Sequence, residues 1–261
     1  MILQCPIFFS GDENKMRLHT LDLFSGIGGM SYALKSQCKT VAYCEVNDSC
    51  RECLIENMKR KILDRAPVHK DVTTLRSQDL PSDIEVILAG FPCQDLSTAG
   101  KRVGLTGSRS SLFWHIIRLL KDLKNVKYVF LENVPTILLE GADTVTAALR
   151  ALGFRCSHGV FQANEVGIPH TRKRWFCLAN RSVLQRPSNS AHLVVPPARP
   201  SPEPRRLLLG RPTSALKKRY TMLGNAVVPQ VVALAWNTLA VSATQVVPAT
   251  RAIHDLSLIH I

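Results

Sequence analysis

The stretch "LHTLDLFSGIGG", residues 18–29, decides the fold. Its first half is mostly apolar and its second half is rich in glycine. Such a run reads as a buried strand that turns into a helix. The strand is expected over Leu18 to Phe24 and the helix over roughly Met30 to Gln37. Gly26, Gly28 and Gly29 would let the backbone approach a ligand closely at that turn. A tight turn with no ligand is the plainer reading. The spacing fits neither the dinucleotide fingerprint nor a P-loop lysine motif.

Working outward, "KTVAYCEV" (39–46) reads as a second strand and Asp48 to Lys61 as a helix. "APVHKDVTT" (66–74) carries a short third strand ending near Asp71. "IEVILAGF" (84–91) and "VKYVFLENV" (126–134) read as the fourth and fifth, with an amphipathic helix from about Ser111 to Lys124 between them. Ala142 to Leu152 looks helical, and "RKRWFCLAN" (172–180) is a late strand. Strands alternating with helices imply an α/β fold, a mostly parallel sheet with helices on both faces. In such sheets ligands bind beyond the carboxyl ends of the strands. Phe24, Glu45, Asp71, Pro92 with Cys93, and Glu132 all fall at those ends, which points to one shared site.

Composition narrows the partners. The 261 residues carry a formal charge of +13 and an apolar fraction of 46%. That fraction suits a globular core, and the charge favours polyanions, nucleic acid first. No apolar run is long enough to span a bilayer, so no membrane partner is expected. The start, residues 1–16, reads as a flexible segment and not a signal peptide. The 8 cysteines suit reduced thiols in an intracellular protein. Cys50 and Cys53 form a CxxC with no second pair, so two neighbours on a helix face is preferred to a metal or redox site. Between Arg181 and Arg219 lie seven prolines, nine Lys or Arg and one acid, Glu203. This is a basic, Pro-rich linker with little capacity to pack a core. "LGNAVVPQVVALAWNTLA" (223–240) then reads as a turn and an apolar helix, and from Val241 onward as a tail.

The chemistry-bearing residues each have a bland reading as well. Glu45 at a strand end suits the two hydroxyls of a ribose, and Asp71 an adenine amino group; alone, each is a solvated acid. With the glycine turn they suggest an adenosine ligand held without a P-loop, and S-adenosylmethionine is a candidate. Cys93 in "GFPCQDLS" (90–97) sits behind a proline of fixed φ, which gives its thiol a defined direction. A buried cysteine is the bland alternative. Glu132 in "FLENVP" is placed to be held protonated and to donate to a ring nitrogen. Arg172 and Arg174 lie two apart, on one face of a strand, and suit carbonyl and carboxylate oxygens.

In series, "DLFSGIGG", "EVND", "GFPCQDLS", "ENV", "QANEVGIPHTRKRWF" and "GNAVVP" resemble the cytosine-C5 DNA methyltransferases, over about Arg17 to Arg181 and Leu223 to Leu239. The resemblance implies a Rossmann-like methyltransferase fold and S-adenosyl-L-methionine as cofactor. It implies a cytosine flipped out of a DNA duplex. Cys93 resembles the nucleophile that attacks C6, Glu132 the acid that protonates N3, and Arg174 the residue that holds O2, supported by Arg172. C5 then takes the methyl, and loss of its proton expels Cys93. Phe24, Gly26, Ile27, Gly28 and Gly29 match cofactor contacts, as do Glu45 at the ribose and Val46, Asp71 and Val72 at the adenine. Pro92, Leu112, Asn225 and Val227 match further ones. The loop from Gln94 to Ser108, with Gln94, Ser97, Lys101 and Arg102, resembles the segment that closes over the base and touches phosphates.

The chain departs from the family where a long recognition region would precede "GNAV"; here that interval is the Pro-rich linker. Target recognition is therefore expected to be short or supplied by a partner protein. Besides DNA methylation, two readings stay open: an RNA-directed enzyme, and a non-catalytic paralogue that binds nucleic acid or a partner methyltransferase. DNA as substrate would imply the nucleus or nucleoid.

Overall fold

A computed structural model describes residues 16–92, 112–181 and 226–242. Seven strands form one sheet in the order β3-β2-β1-β4-β5-β7-β6. The strands are β1 (Leu18–Leu23), β2 (Cys38–Cys44), β3 (Val68–His69), β4 (Val86–Gly90), β5 (Tyr128–Asn133), β6 (Arg155–Gln162) and β7 (Lys173–Asn180). Strands β1 to β5 pair in parallel, β7 runs antiparallel to β5, and β6 runs antiparallel to β7. One reversed strand therefore sits in an otherwise parallel sheet. The central strands are buried on both faces and so read as continuous apolar runs.

The helices are α1 (Gly29–Ala33), α2 (Asp48–Lys59), α3 (Phe113–Asp122), α4 (Ile137–Glu140), α5 (Ala142–Ala151) and α6 (Pro229–Ser242). Side-chain alternation splits the core into two layers. Leu21, Ile87, Val129 and Cys177 share one cluster with α3 and α5. Leu88, Phe130 and Leu178 share the other with Met30, Leu34 and the α6 residues Val232, Ala235 and Trp236. Helix α6 thus covers the face over β4, β5 and β7, far along the chain from the strands it packs on.

Three expectations change. The first helix is five residues long, not eight: the Gln37 and Cys38 amides turn back to the Leu34 carbonyl, and the chain enters β2. Strand β6 was not foreseen, because "RCSHGVFQ" alternates poorly and holds a glycine. As an edge strand it needs no strong apolar face. Helix α6 runs into what reads as the tail, to Ser242. Residues 1–15 of the segment expected to be flexible (1–16) and the linker beyond Arg181 lie outside the described residues. So does the rest of the tail. No described helix is long and apolar enough to cross a membrane.

Candidate active site

The glycine turn after β1 is tightly folded. Phe24 adopts φ 55°, Gly26 56° and Gly28 86°. A left-handed phenylalanine is uncommon and marks a turn held by its surroundings. The Ser25 hydroxyl donates to the Asp22 carbonyl at 2.6 Å, and the Ser25 amide donates to the Cys44 carbonyl at 3.1 Å. The glycines serve different ends. A Cβ on Gly26 would meet no atom within 4 Å, so its outer side is open. A Cβ on Gly28 would lie 2.4 Å from Leu63 Cδ1, and one on Gly29 2.7 Å from Val227 Cγ2. Packing against Leu63 and Val227 thus makes its own demand on Gly28 and Gly29, beside the ligand approach expected of all three. The Gly29 contact also brings Val227 to the turn. A cleft of about 670 Å³ joins Ile27, Gly28 and Gly29 to Val227 and Arg172.

Beyond β2, Glu45 is buried. Its Oε2 accepts the Gly26 amide at 2.7 Å and its Oε1 the Asn47 amide at 2.8 Å. Each oxygen keeps a further acceptor site. Val46 beside it is 65% exposed, a large apolar side chain facing outward at a strand end. Asn47 caps α2, its Oδ1 accepting the Cys50 amide at 3.1 Å. Beyond β3, the Thr73 amide donates to Asp71 Oδ1 at 2.8 Å and holds that carboxyl below its ordinary range. Val72 is buried, with Leu112 packed against the same cluster. An open left-handed glycine, the buried acceptor Glu45, the more exposed acceptor Asp71 and an outward valine fit the adenosine end of S-adenosylmethionine. Cys50 and Cys53 are both free on α2, and burial pushes the Cys50 thiol up to about 11.

At the centre, Glu132 pairs with Gly90 across β4 and β5. A Cβ on Gly90 would sit 3.2 Å from Glu132 Oε2, so glycine makes room for that carboxyl. Arg174 Nε donates to Glu132 Oε1 at 2.9 Å. Because β7 runs antiparallel, its first residues reach the carboxyl end of β5, which brings Arg172 and Arg174 to Glu132. Burial raises the Glu132 pKa above the ordinary carboxyl value, against the opposing pull of Arg174 and then Arg172. Burial, then the charge of Arg174, lowers the Arg172 pKa. The result is a carboxyl that holds a proton more readily than in water, beside a fixed cationic fork.

Two contributors escaped the sequence reading. Asn133 is buried; its Nδ2 donates to the Phe91 carbonyl at 3.0 Å and its Oδ1 accepts the Val134 amide at 2.8 Å. It ties the end of β5 to the Phe91–Pro92 step. Asp22, under the glycine turn, accepts the Ser31 hydroxyl at 2.6 Å, and Ser31 accepts the Thr40 hydroxyl at 2.8 Å. Burial pushes the Asp22 carboxyl up to about 7. An acid inside an apolar strand was the available signal for it. Pro92 is exposed at the site. Cys93, Gln94, Ser97, Lys101, Arg102 and Asn225 lie outside the described residues.

Comparison with known proteins gives this geometry a context. The family model for C-5 cytosine-specific DNA methylase matches residues 18–205. The Type II methyltransferase M.CviJI of Paramecium bursaria Chlorella virus IL3A is 38% identical over 167 residues, covering 64% of this chain and 44% of that protein. The tRNA (cytosine(38)-C(5))-methyltransferase of Schizosaccharomyces pombe is 31% identical over 169 residues, covering 62% and 50%. The crystal structure of a Spodoptera frugiperda DNMT2 mutant superposes with a TM-score of 0.54 at 26% identity, covering 65% of this chain and 52% of that one. The chain thus spans about half the length of the relatives it matches.

Proposed function

The chain belongs to the C-5 cytosine-specific DNA methylases, and on that premise we propose that it is a DNA (cytosine-5-)-methyltransferase acting on a flipped cytosine. The observation that carries this reading is the Glu132–Arg174 pair beside Arg172, at the strand end next to Pro92. Cytosine C6 is a poor electrophile until N3 carries a proton. Glu132, its pKa raised by burial, holds that proton and delivers it to N3. Arg174 orients the carboxyl and offers N–H donors to the O2 oxygen of the base. Cys93 forms a bond to C6, and the ring electrons displaced from the C5–C6 bond make C5 nucleophilic. S-adenosyl-L-methionine, the family cofactor, supplies an electrophilic methyl when bound. Removal of the C5 proton restores the double bond and releases the Cys93 thiolate. Phe24, Gly26, Glu45, Val46, Asp71 and Val72 hold the adenosine end of the cofactor.

Glu132 acts in its protonated form, so activity falls as pH rises through its raised pKa. The sites from Gln94 to Arg102, recognition by the Pro-rich segment or by a partner protein, and residence in the nucleus or nucleoid belong to this proposal too. A second reading, RNA as substrate, draws on the likeness to the tRNA enzyme.

Covalent trapping tests the proposal. The protein and S-adenosylmethionine are mixed with duplex DNA that carries 5-fluorocytosine in a mixed-sequence pool. Fluorine does not leave as a cation, so the Cys93 bond persists through denaturation. An adduct with the wild type and none with Cys93→Ala is expected. No adduct on DNA, with one on 5-fluorocytosine tRNA, turns the reading to RNA. No adduct on either, with cofactor binding intact, leaves the non-catalytic paralogue.

A further inference from the structure

Two arginines that no part of the proposed reaction uses hold the backbone of the adenosine pocket. Arg51 lies on α2 with 17% of its side chain exposed. Its Nη1 donates to the Glu45 carbonyl at 2.9 Å and to the Val46 carbonyl at 2.6 Å, and the guanidinium also pairs with Asp48. Arg118 lies on α3, and its Nη2 donates to the Val72 carbonyl at 2.9 Å. Carbonyls just past a strand end have lost the next rung of the ladder and need another donor. Here that donor comes from a different helix on each side. Glu45, Val46 and Val72 are the residues assigned above to the ribose and the adenine. Val46 has no strand or helix of its own to hold it, and its apolar side chain faces water.

We propose that Arg51 and Arg118 are positioning residues for the cofactor. They fix Val46 and Val72 as opposite walls of an adenine slot before the ligand arrives. A preset slot spares the ordering that a loose strand-end loop must undergo on binding. The guanidinium suits the task because one rigid fork serves several acceptors at once. This inference rests on the cofactor reading given above.

Arg17 provides a matched control. Its guanidinium also donates to two backbone carbonyls, of Lys35 at 2.9 Å and Cys38 at 3.4 Å, and to Asp64, but at the amino end of the sheet. The experiment is titration calorimetry with S-adenosylhomocysteine on the full chain, with a melting temperature for each protein. Arg51→Met and Arg118→Met are each expected to weaken binding about tenfold, the size of one lost charge-assisted hydrogen bond. In turnover, KM for the cofactor rises while kcat at saturation holds. Arg17→Met is expected to lower the melting temperature and leave the affinity unchanged. Arg51→Lys and Arg118→Lys keep the charge and recover part of the affinity; they also serve if a methionine variant fails to fold. Unchanged affinity in both methionine variants overturns the inference, and so does an equal loss in Arg17→Met. Failure of the wild type to bind S-adenosylhomocysteine overturns the cofactor reading along with it.

Discussion

The two ends of the parallel sheet treat their acids differently. At the amino end, three acids each face a base, and two of them also take a backbone amide, Asp64 that of Thr40 at 3.0 Å and Glu85 that of His19 at 3.3 Å. Arg17 pairs with Asp64 at 2.9 Å, His19 Nδ1 with Asp83 at 2.6 Å, and Lys127 with Glu85 at 2.6 Å. At the carboxyl end, Glu45 and Asp71 accept backbone amides. Glu132 there pairs with Arg174, the charge of Arg172 also acts on it, and burial raises its pKa above the ordinary carboxyl value. Pairing at a surface leaves an acid little to do. Glu45, held by two backbone amides, keeps further acceptor sites, and Glu132 keeps a pKa raised by burial. On the function proposed above, the carboxyl end is the working end and the amino end the closing end.

The largest test of that contrast is Glu132→Gln. It keeps the shape and removes the transferable proton, so kcat should fall by about 10² to 10⁴. KM for the cofactor should move little. Steady-state kinetics with saturating DNA measures this, and unchanged kcat would assign the working end to another residue.

Asp22, beneath the working end, comes next. Its folded pKa of about 7 exceeds its ordinary 3.8. The folded state keeps a proton that the unfolded chain releases. The stabilisation is therefore complete below about pH 4 and is lost as pH rises through 7, a swing of roughly 4 kcal/mol at most. Urea unfolding between pH 4 and 7.5 should show a shallower fall in stability for Asp22→Asn than for the wild type. Parallel curves would show that the buried acid does not carry the swing.

The glycines sharpen the comparison further. Gly28→Ala places a methyl 2.4 Å from Leu63 at a positive φ and should destabilise by about 1–3 kcal/mol. Gly26→Ala meets open space, so it should lose roughly 1 kcal/mol to backbone strain alone. It should instead weaken cofactor binding, which denaturation paired with calorimetry separates. The smallest effect belongs to the closing end. Lys127→Met breaks a half-exposed pair, for which a loss below about 1 kcal/mol and no change in turnover are expected. A drop in turnover would erase the distinction between the ends.

Much of this was legible in order along the chain. Strands β1, β2, β4 and β5 are largely apolar, and the residues that mark the site lie at their carboxyl ends or within two residues beyond. Such runs announce burial wherever they pack, and a strand must end where its pattern ends. Glu45 and Glu132 could be placed at strand ends for that reason, whereas β3 ends at His69 and leaves Asp71, expected at its end, two residues beyond. The asparagine cap of α2 and the proline that begins α6 are equally local signals.

Other parts depend on contacts between residues distant in sequence. The roles of Gly28 and Gly29 rest on Leu63 and Val227, which no local pattern connects to them. The tie from Asn133 to Phe91 spans two neighbouring strands. The arginines Arg51 and Arg118 read as ordinary helix charges until the carbonyls beneath them are seen. Above all, the apolar run after Arg172 and Arg174 announces a strand beginning beside them, but not its direction. Only the tertiary structure runs β7 against β5 and sets Arg174 on Glu132. Hydrophobic periodicity encodes which face is buried, whereas pairing direction is decided by the partner strand.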